Sequence, residues 1–233
     1  MKSLSIIIPA FNEAKSINKL LEKVITVELI NNISKEIIIV DDHSTDETEI
    51  VIQPYLKKHD FIRYVRHSKN LGKGAAIHTG IKCSESDLII IQDADLEYDP
   101  AEYNLLLKPI VEYKADVVYG SRFMGGNPHR VMFFWHSIGN RFLTFLSNMF
   151  TNLNLTDMET GFKMFRSDIL KNVVLKEQRF GFEPEVTAKV SRLPDIKIFE
   201  VGISYSGRTY KEGKKINWKD GMRAVFCILK YNV

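Results

Sequence analysis

What most constrains the fold of this chain is an alternation through its first half. Short β-branched runs take turns with longer stretches whose apolar residues recur at helical spacing. Leu4–Ile8, Glu36–Val40, Ile62–Val65, Leu88–Ile91 and Val117–Tyr119 read as strands, and as nearly continuous apolar runs they belong in a sheet covered on both faces. Ala14–Leu29, Thr45–Lys57, Lys73–Lys82 and Pro100–Lys114 read as helices, with Ser44 or Thr45, and Asp99 before Pro100, as start signals. Strand and helix in turn predict an α/β fold with a mostly parallel central sheet flanked by helices. Such sheets bind ligands beyond the carboxyl ends of their strands. From about Gly125 the pattern changes to an apolar helical segment Val131–Leu153, a short strand near Lys163–Phe165, a helix from Glu183 to Ser191, a strand Lys197–Ile203 and a last helix Trp218–Tyr231. No repeat, low-complexity tract or Pro/Gly linker interrupts the 233 residues, so a single domain with two functional halves, 1–124 and 125–233, is predicted.

A chain of this length buries enough apolar surface to need no disulfide or structural metal. Cys83 and Cys227 lie far apart and in no metal-ligand spacing, which favours a reducing compartment such as the cytosol. The net charge of +3, from 32 basic and 29 acidic side chains, is too balanced for a protein that grips nucleic acid. The N-terminal apolar run ends at Pro9 and is too short for a signal peptide. The longest apolar stretch, Val131 to Leu155, is broken by His136, Asn140 and Arg141, and a mid-span charge costs about 2.5–3.5 kcal/mol on insertion, so no membrane-spanning helix is expected.

Carboxylates gather after the strands: Glu13 after the first, Asp41 and Asp42 after the second, Asp93, Asp95, Glu97 and Asp99 after the fourth. So many like charges in one crevice raise one another's pKa, and a bound cation resolves the repulsion. In Asp93-Ala94-Asp95-Leu96-Glu97 an extended backbone puts the three acids on one side, roughly 6.5–7 Å apart at Cα. Oxygen-only ligands favour Mg2+ or Mn2+. The alternative is that Asp95, Glu97 and Asp99 serve only to cap the helix starting at Pro100. Asn70-Leu71-Gly72-Lys73-Gly74 joins a strand to a helix. Its glycines and Lys73 suit close approach to a phosphate, although a plain tight turn fits the same residues. It matches neither a dinucleotide fingerprint nor a P-loop.

Taken together, Ile6-Ile7-Ile8-Pro9-Ala10-Phe11-Asn12-Glu13, Ile38-Ile39-Val40-Asp41-Asp42-His43-Ser44-Thr45-Asp46, Asn70-Leu71-Gly72-Lys73-Gly74 and Asp93-Ala94-Asp95 occur in the order and spacing of family 2 glycosyltransferases, which have the GT-A fold. Tyr119-Gly120-Ser121-Arg122-Phe123, Asp157-Met158-Glu159-Thr160-Gly161-Phe162-Lys163 and Gly207-Arg208 through Lys214-Lys215 resemble the polyprenyl-phosphate sugar transferases of that family, the dolichyl-phosphate mannose synthase group. The resemblance implies a nucleotide-sugar site made by Pro9, Phe11, Glu13, Asp41, Asp42, Lys73, Asp93, Ala94 and Asp95. Phe11 stands where a Tyr often occurs and lacks its hydroxyl. Mg2+ or Mn2+ falls to Asp93 and Asp95, with Glu97 at the place of a third ligand that is Gln in some relatives.

The resemblance further implies that Arg122, Ser137, Arg208, Lys214 and Lys215 meet the phosphate of a polyprenyl phosphate acceptor, although a solvated loop also explains Arg208 and the lysines. An arginine four residues before the serine is replaced here by Phe133, which leaves Arg130 or Arg141 as substitutes. Asp157 matches the family's proposed catalytic acid. It is needed as a base only if the acceptor is a hydroxyl, and otherwise serves to orient Arg122 or Lys163. The aromatic segment from Val131 to Phe150 fits either burial against the sheet or the membrane interface. The expected activity is metal-dependent, inverting transfer of a sugar from a UDP- or GDP-sugar to a polyprenyl phosphate. It is placed peripherally on the cytoplasmic membrane face and reaches the lipid directly or through a membrane-embedded partner protein. Two alternatives are a family 2 transferase acting on a carbohydrate or glycolipid hydroxyl and a non-catalytic nucleotide-sugar-binding subunit at the membrane.

Overall fold

The computed structural model describes residues 1–125, 130, 131, 133–208 and 218–233. Seven strands form one sheet in the order β3-β2-β1-β4-β6-β5-β7: β1 (Ser3–Ala10), β2 (Ser34–Asp41), β3 (Ile62–Arg66), β4 (Leu88–Ile91), β5 (Val117–Ser121), β6 (Lys163–Arg166) and β7 (Ile198–Gly202). All neighbours run parallel except β6, which lies antiparallel between β4 and β5. The helices are α1 (Ile17–Thr26), α2 (Thr48–Lys58), α3 (Lys73–Cys83), α4 (Tyr103–Tyr113), α5 (Phe134–Thr151), α6 (Ser167–Asn172), α7 (Phe182–Val190) and α8 (Trp218–Asn232).

The expected strands are all present. Helices α1, α2 and α4 start later than periodicity suggests, because polar turns precede them: a short 3-10 turn at Pro100–Glu102, capped by Asp99 accepting from the Ala101 N–H at 3.2 Å, comes before α4. The sequence reading misses α6, whose six residues are too few to show a period.

Each apolar strand splits its side chains between two cores, as the two-residue strand period requires. Ile6, Ile8, Ile37 and Ile39 pack with α1, α2 and α4, while Ile7, Ile89 and Ile91 pack with α3, α6, α7 and α8. Because β1, β2, β4 and β5 are parallel, the segments that follow them meet at one rim of the sheet. Antiparallel β6 begins at that same rim, so Asp157–Lys163 joins the segments after β1 and β4. The second half of the chain is therefore built into the sheet of the first.

Of the two readings of the aromatic pattern on α5, burial against the sheet does not hold for its aromatic residues. Its buried residues are the polar Asn140, Thr144 and Ser147, whereas Phe134, Trp135, Ile138, Phe142, Phe145 and Met149 are exposed. The polar stripe has a use in packing: the Thr144 hydroxyl accepts from the Met158 N–H at 3.1 Å, and Asn140 bonds Asp157.

Candidate active site

A cavity of about 780 Å³ opens at this rim, lined among others by Pro9, Phe11, Glu13, Asp93, Ala94, Asp95 and Arg122. The glycine turn is one wall. Asp42, buried, accepts from the Leu71 and Gly72 N–H groups at 2.8 and 2.7 Å and lies 2.8 Å from His67 Nδ1. Its oxygens thus hold the turn in place, even though it also touches the cavity. Gly72 has φ +105°, open to glycine, and a Cβ there would sit 2.5 Å from the Gln178 carbonyl. Asp41 does not line the cavity. Its carboxylate accepts from the Ser44 N–H at 2.8 Å and the Tyr64 hydroxyl at 2.7 Å, and Arg66 stands at 3.5 Å. Protein donors thus claim Asp41, which sets it below the site rather than in it.

Lys73, at the start of α3, reaches across to Asp93 at 2.8 Å and to Glu183 at 3.4 Å. Burial opposes its charge, but the carboxylates of Asp93 and Glu183 outweigh it and hold its pKa above the ordinary lysine range. Arg208 is the second cation on the acids. It donates to both Glu13 oxygens at 3.2 Å and to Asp95 at 2.9 Å, with its buried Nε making no hydrogen bond and standing 3.9 Å from Glu97 Oε1. Glu97 is not free as a ligand: it accepts from the Tyr205 hydroxyl at 2.8 Å and the Arg208 backbone N–H at 2.7 Å. It therefore fastens the Tyr205–Arg208 segment, which leaves Asp93 and Asp95 as the candidate pair for an ion. Burial, together with the charges of Asp93 and Glu97, pushes the Asp95 carboxyl up to about 7 against the opposing pull of Arg208.

Among the described residues no three His, Cys, Asp or Glu side chains are arranged to hold a metal by themselves. Asp93 and Asp95 nevertheless fit a hard divalent ion. Both are oxygen donors on one cavity wall, and the repulsion that keeps the Asp95 carboxyl raised despite Arg208 is what such an ion would relieve. The remaining ligands would come from phosphate and water.

Arg122 follows β5 and forms a buried, two-pronged pair with Asp157: Nε to Oδ2 at 2.6 Å and Nη2 to Oδ1 at 2.7 Å. Asn140 also bridges both partners, its Oδ1 accepting from Arg122 at 3.2 Å and its Nδ2 donating to Asp157 at 3.0 Å. Burial alone would raise the Asp157 carboxyl. The Arg122 charge and hydrogen bonds overcome this and hold its pKa below the usual carboxylate range. A carboxylate so engaged is held ionised against Arg122. Lys163, the other group offered to Asp157, donates instead to the Met158 carbonyl at 2.9 Å and to that of Thr160. Ser137 lies on the first turn of α5 but off the cavity lining, as do Arg130 and Arg141. Lys214 and Lys215 fall outside the described residues.

Several cavity residues were not anticipated: Glu159, Glu183, Tyr98, Tyr205, Arg179 and Trp218. Glu159 was legible within the Asp157–Lys163 motif, though only as its neighbour. Gly161 explains why that turn matters: a Cβ there would stand 2.5 Å from Asp93 Oδ2 and 3.3 Å from Lys73 Nζ.

The comparisons bear on the fold and the family. In fold the chain matches glucosyl-3-phosphoglycerate synthase from Mycobacterium tuberculosis, solved in complex with Mn2+, uridine diphosphate and phosphoglyceric acid. The TM-score is 0.76 at 18% identity, over 99% of this chain and 78% of that one. The architecture is therefore that of the GT-A glycosyltransferases. The model of glycosyl transferase family 2 matches residues 5–174, and the chain belongs to that family. Its relatives include dolichyl-phosphate beta-glucosyltransferase ALG5D of Trichomonas vaginalis, 30% identical over 87% of this chain and 65% of that protein. Dodecaprenyl-phosphate galacturonate synthase of Rhizobium johnstonii is 28% identical over 91% of this chain and 61% of that protein. The chain thus spans somewhat under two thirds of the length of these two curated relatives.

Proposed function

We propose that this glycosyltransferase moves a sugar from a UDP- or GDP-sugar to a polyprenyl phosphate at a membrane surface on the cytoplasmic side. One observation carries the reading. A single cavity joins the acids and lysine of the donor rim to buried Arg122, and its lining includes Trp135 and Trp218, which are 81% and 75% exposed. The exposed aromatic face of α5 suits lipid, and the arginine behind it suits a phosphate. No described helix is long and apolar enough to cross a membrane, so contact through the faces of α5 and α8 is the form proposed. The names of the two relatives support a polyprenyl-phosphate acceptor.

In this reading residues 1–124 supply most of the donor site and 125–233 most of the acceptor site. Pro9, Phe11 and Ala94 flank the nucleotide, and Lys73 meets the diphosphate. Asp93 and Asp95 would hold Mg2+ or Mn2+, which when bound would supply positive charge to the departing diphosphate. Arg122 receives the acceptor phosphate, its guanidinium fixed by Asp157 and Asn140. The acceptor oxygen bonds to the anomeric carbon as the bond to the diphosphate breaks, a single displacement that inverts configuration. A phosphate monoester with second pKa near 6 is already largely ionised at neutral pH, so the step needs no dedicated base. A hydroxyl acceptor would need one, and Asp157 is committed to Arg122, which favours the phosphate.

The test is label transfer: UDP-[14C]glucose and GDP-[14C]mannose are incubated with undecaprenyl or dolichyl phosphate and Mg2+ or Mn2+. Label in the organic phase supports the reading. Label found only on added oligosaccharide would replace it with the hydroxyl-acceptor alternative.

A further inference from the structure

The glycine turn in front of Lys73 leans on one carboxylate. The Leu71 and Gly72 N–H groups, which lead into α3, are both spent on Asp42, at 2.8 and 2.7 Å. Where Asp42 points therefore bears on where α3 begins and from where Lys73 reaches into the cavity. Asp42 is buried, and among the described residues neither a lysine nor an arginine pairs with it. The side-chain donor it has is His67, whose Nδ1 stands 2.8 Å from Oδ1. A carboxylate only accepts, so Nδ1 carries the proton.

The imidazole is held at its other end too. Nε2 lies 2.9 Å from the hydroxyl of Thr79, which belongs to α3 itself. The contacts thus close a ring, from the head of α3 through Leu71 and Gly72 to Asp42 after β2, on to His67 after β3, and back to α3 at Thr79. Both bearers are tied to the sheet, the Asp42 N–H donating to the Ala10 carbonyl at 2.8 Å and the His67 N–H to that of Asp41 at 2.9 Å. An imidazole bonded through both nitrogens keeps one orientation and passes it to the carboxylate it touches. The His67 side chain is 9% exposed and neither it nor Thr79 lines the cavity, so any effect on a ligand must pass through the turn.

We infer that His67 is a positioning residue of the donor site: through Asp42 it holds the glycine turn at the place from which Lys73 meets the diphosphate. This rests on the donor reading above and deepens it with a residue that stands behind the cavity wall.

Calorimetric titration tests it, with Mg2+ and UDP or GDP, whichever the wild type binds, on variants shown to be folded by circular dichroism. His67→Leu removes the donor to Asp42 and should weaken diphosphate binding about fivefold or more. His67→Asn keeps an N–H near the place of Nδ1 and should bind within about twofold of the wild type. In a Lys73→Met background the same His67→Leu step should cost less than about twofold, because the lysine it positions is gone. Wild-type affinity in folded His67→Leu overturns the inference and leaves the donor reading intact. So does an equal loss in His67→Asn, which would show that the ring's bulk and not its N–H matters. An undiminished loss without Lys73 overturns it as well, since the effect would then run through another group. If His67→Leu does not fold, Thr79→Val, which takes the hydroxyl from Nε2, is measured in its place. A loss of about threefold is then expected, and unchanged affinity overturns the inference. Failure of both diphosphates to bind the wild type overturns the donor reading and the inference with it.

Discussion

Replacing Asp157 by Asn separates an orienting role from a proton-accepting one. Asp157 is fully buried, and both its oxygens lie within 2.7 Å of Arg122 nitrogens. The substitution leaves a buried guanidinium facing an amide. Removing one partner of such a pair costs about 3–5 kcal/mol. For a chain of 233 residues each kcal/mol lowers Tm by about 2–4 °C, so the loss should be roughly 6–20 °C. The sign with pH follows from the lowered pKa. The pair's contribution is present at pH 7 and is lost as pH falls below the unfolded value near ~3.9 and through the folded one. The assay is thermal unfolding at pH 7 and at about pH 2.5, below the unfolded value, alongside label transfer. A Tm within about 2 °C of wild type, with turnover alone abolished, would refute the orienting role and make Asp157 a base.

Three further outcomes are expected. Arg208→Gln removes the cation lying on Glu13 and Asp95, so Mn2+ should bind several-fold more tightly by electron paramagnetic resonance titration; weaker binding would mean that Arg208 helps to build the ion site. Because the Asp95 carboxyl is raised to about 7 and must lose its proton to ligate, Mn2+ affinity should increase as pH rises through 7, and a flat profile from pH 6 to 8 would exclude Asp95 as a ligand. Trp135→Ser with Phe142→Ser, both on the exposed face of α5, should reduce sedimentation with anionic vesicles while nucleotide affinity is unchanged; undiminished sedimentation would remove that face from the membrane contact.

The sheet was legible in the sequence because buried parallel strands leave nearly pure apolar runs such as Leu4–Ile8, and the rim residues follow from where those runs stop. The partners of each rim acid were not legible. Asp93, Asp95 and Glu97 have the same spacing and chemistry. What distinguishes them is that Tyr205 and the Arg208 backbone arrive from more than a hundred residues away to occupy Glu97. Asp41 and Asp42 are likewise adjacent, yet one faces Tyr64 and the other faces the glycine turn. Helix α5 escaped a pattern-based reading because composition reports an apolar face without saying which way it points. Its orientation is fixed by the demand of buried Asp157 and Met158 for the Asn140 and Thr144 side chains. Glu183 has no local signal at all, being brought to the cavity by the packing of α7.

The most direct test of the whole account is a crystal grown with Mn2+ and the nucleoside diphosphate that binds, measured at the manganese absorption edge. The account predicts one anomalous peak within coordination distance of the Asp93 and Asp95 carboxylates and of the diphosphate oxygens, with Arg208 withdrawn from Asp95. A diphosphate bound away from those two aspartates, with no peak beside them, would contradict it.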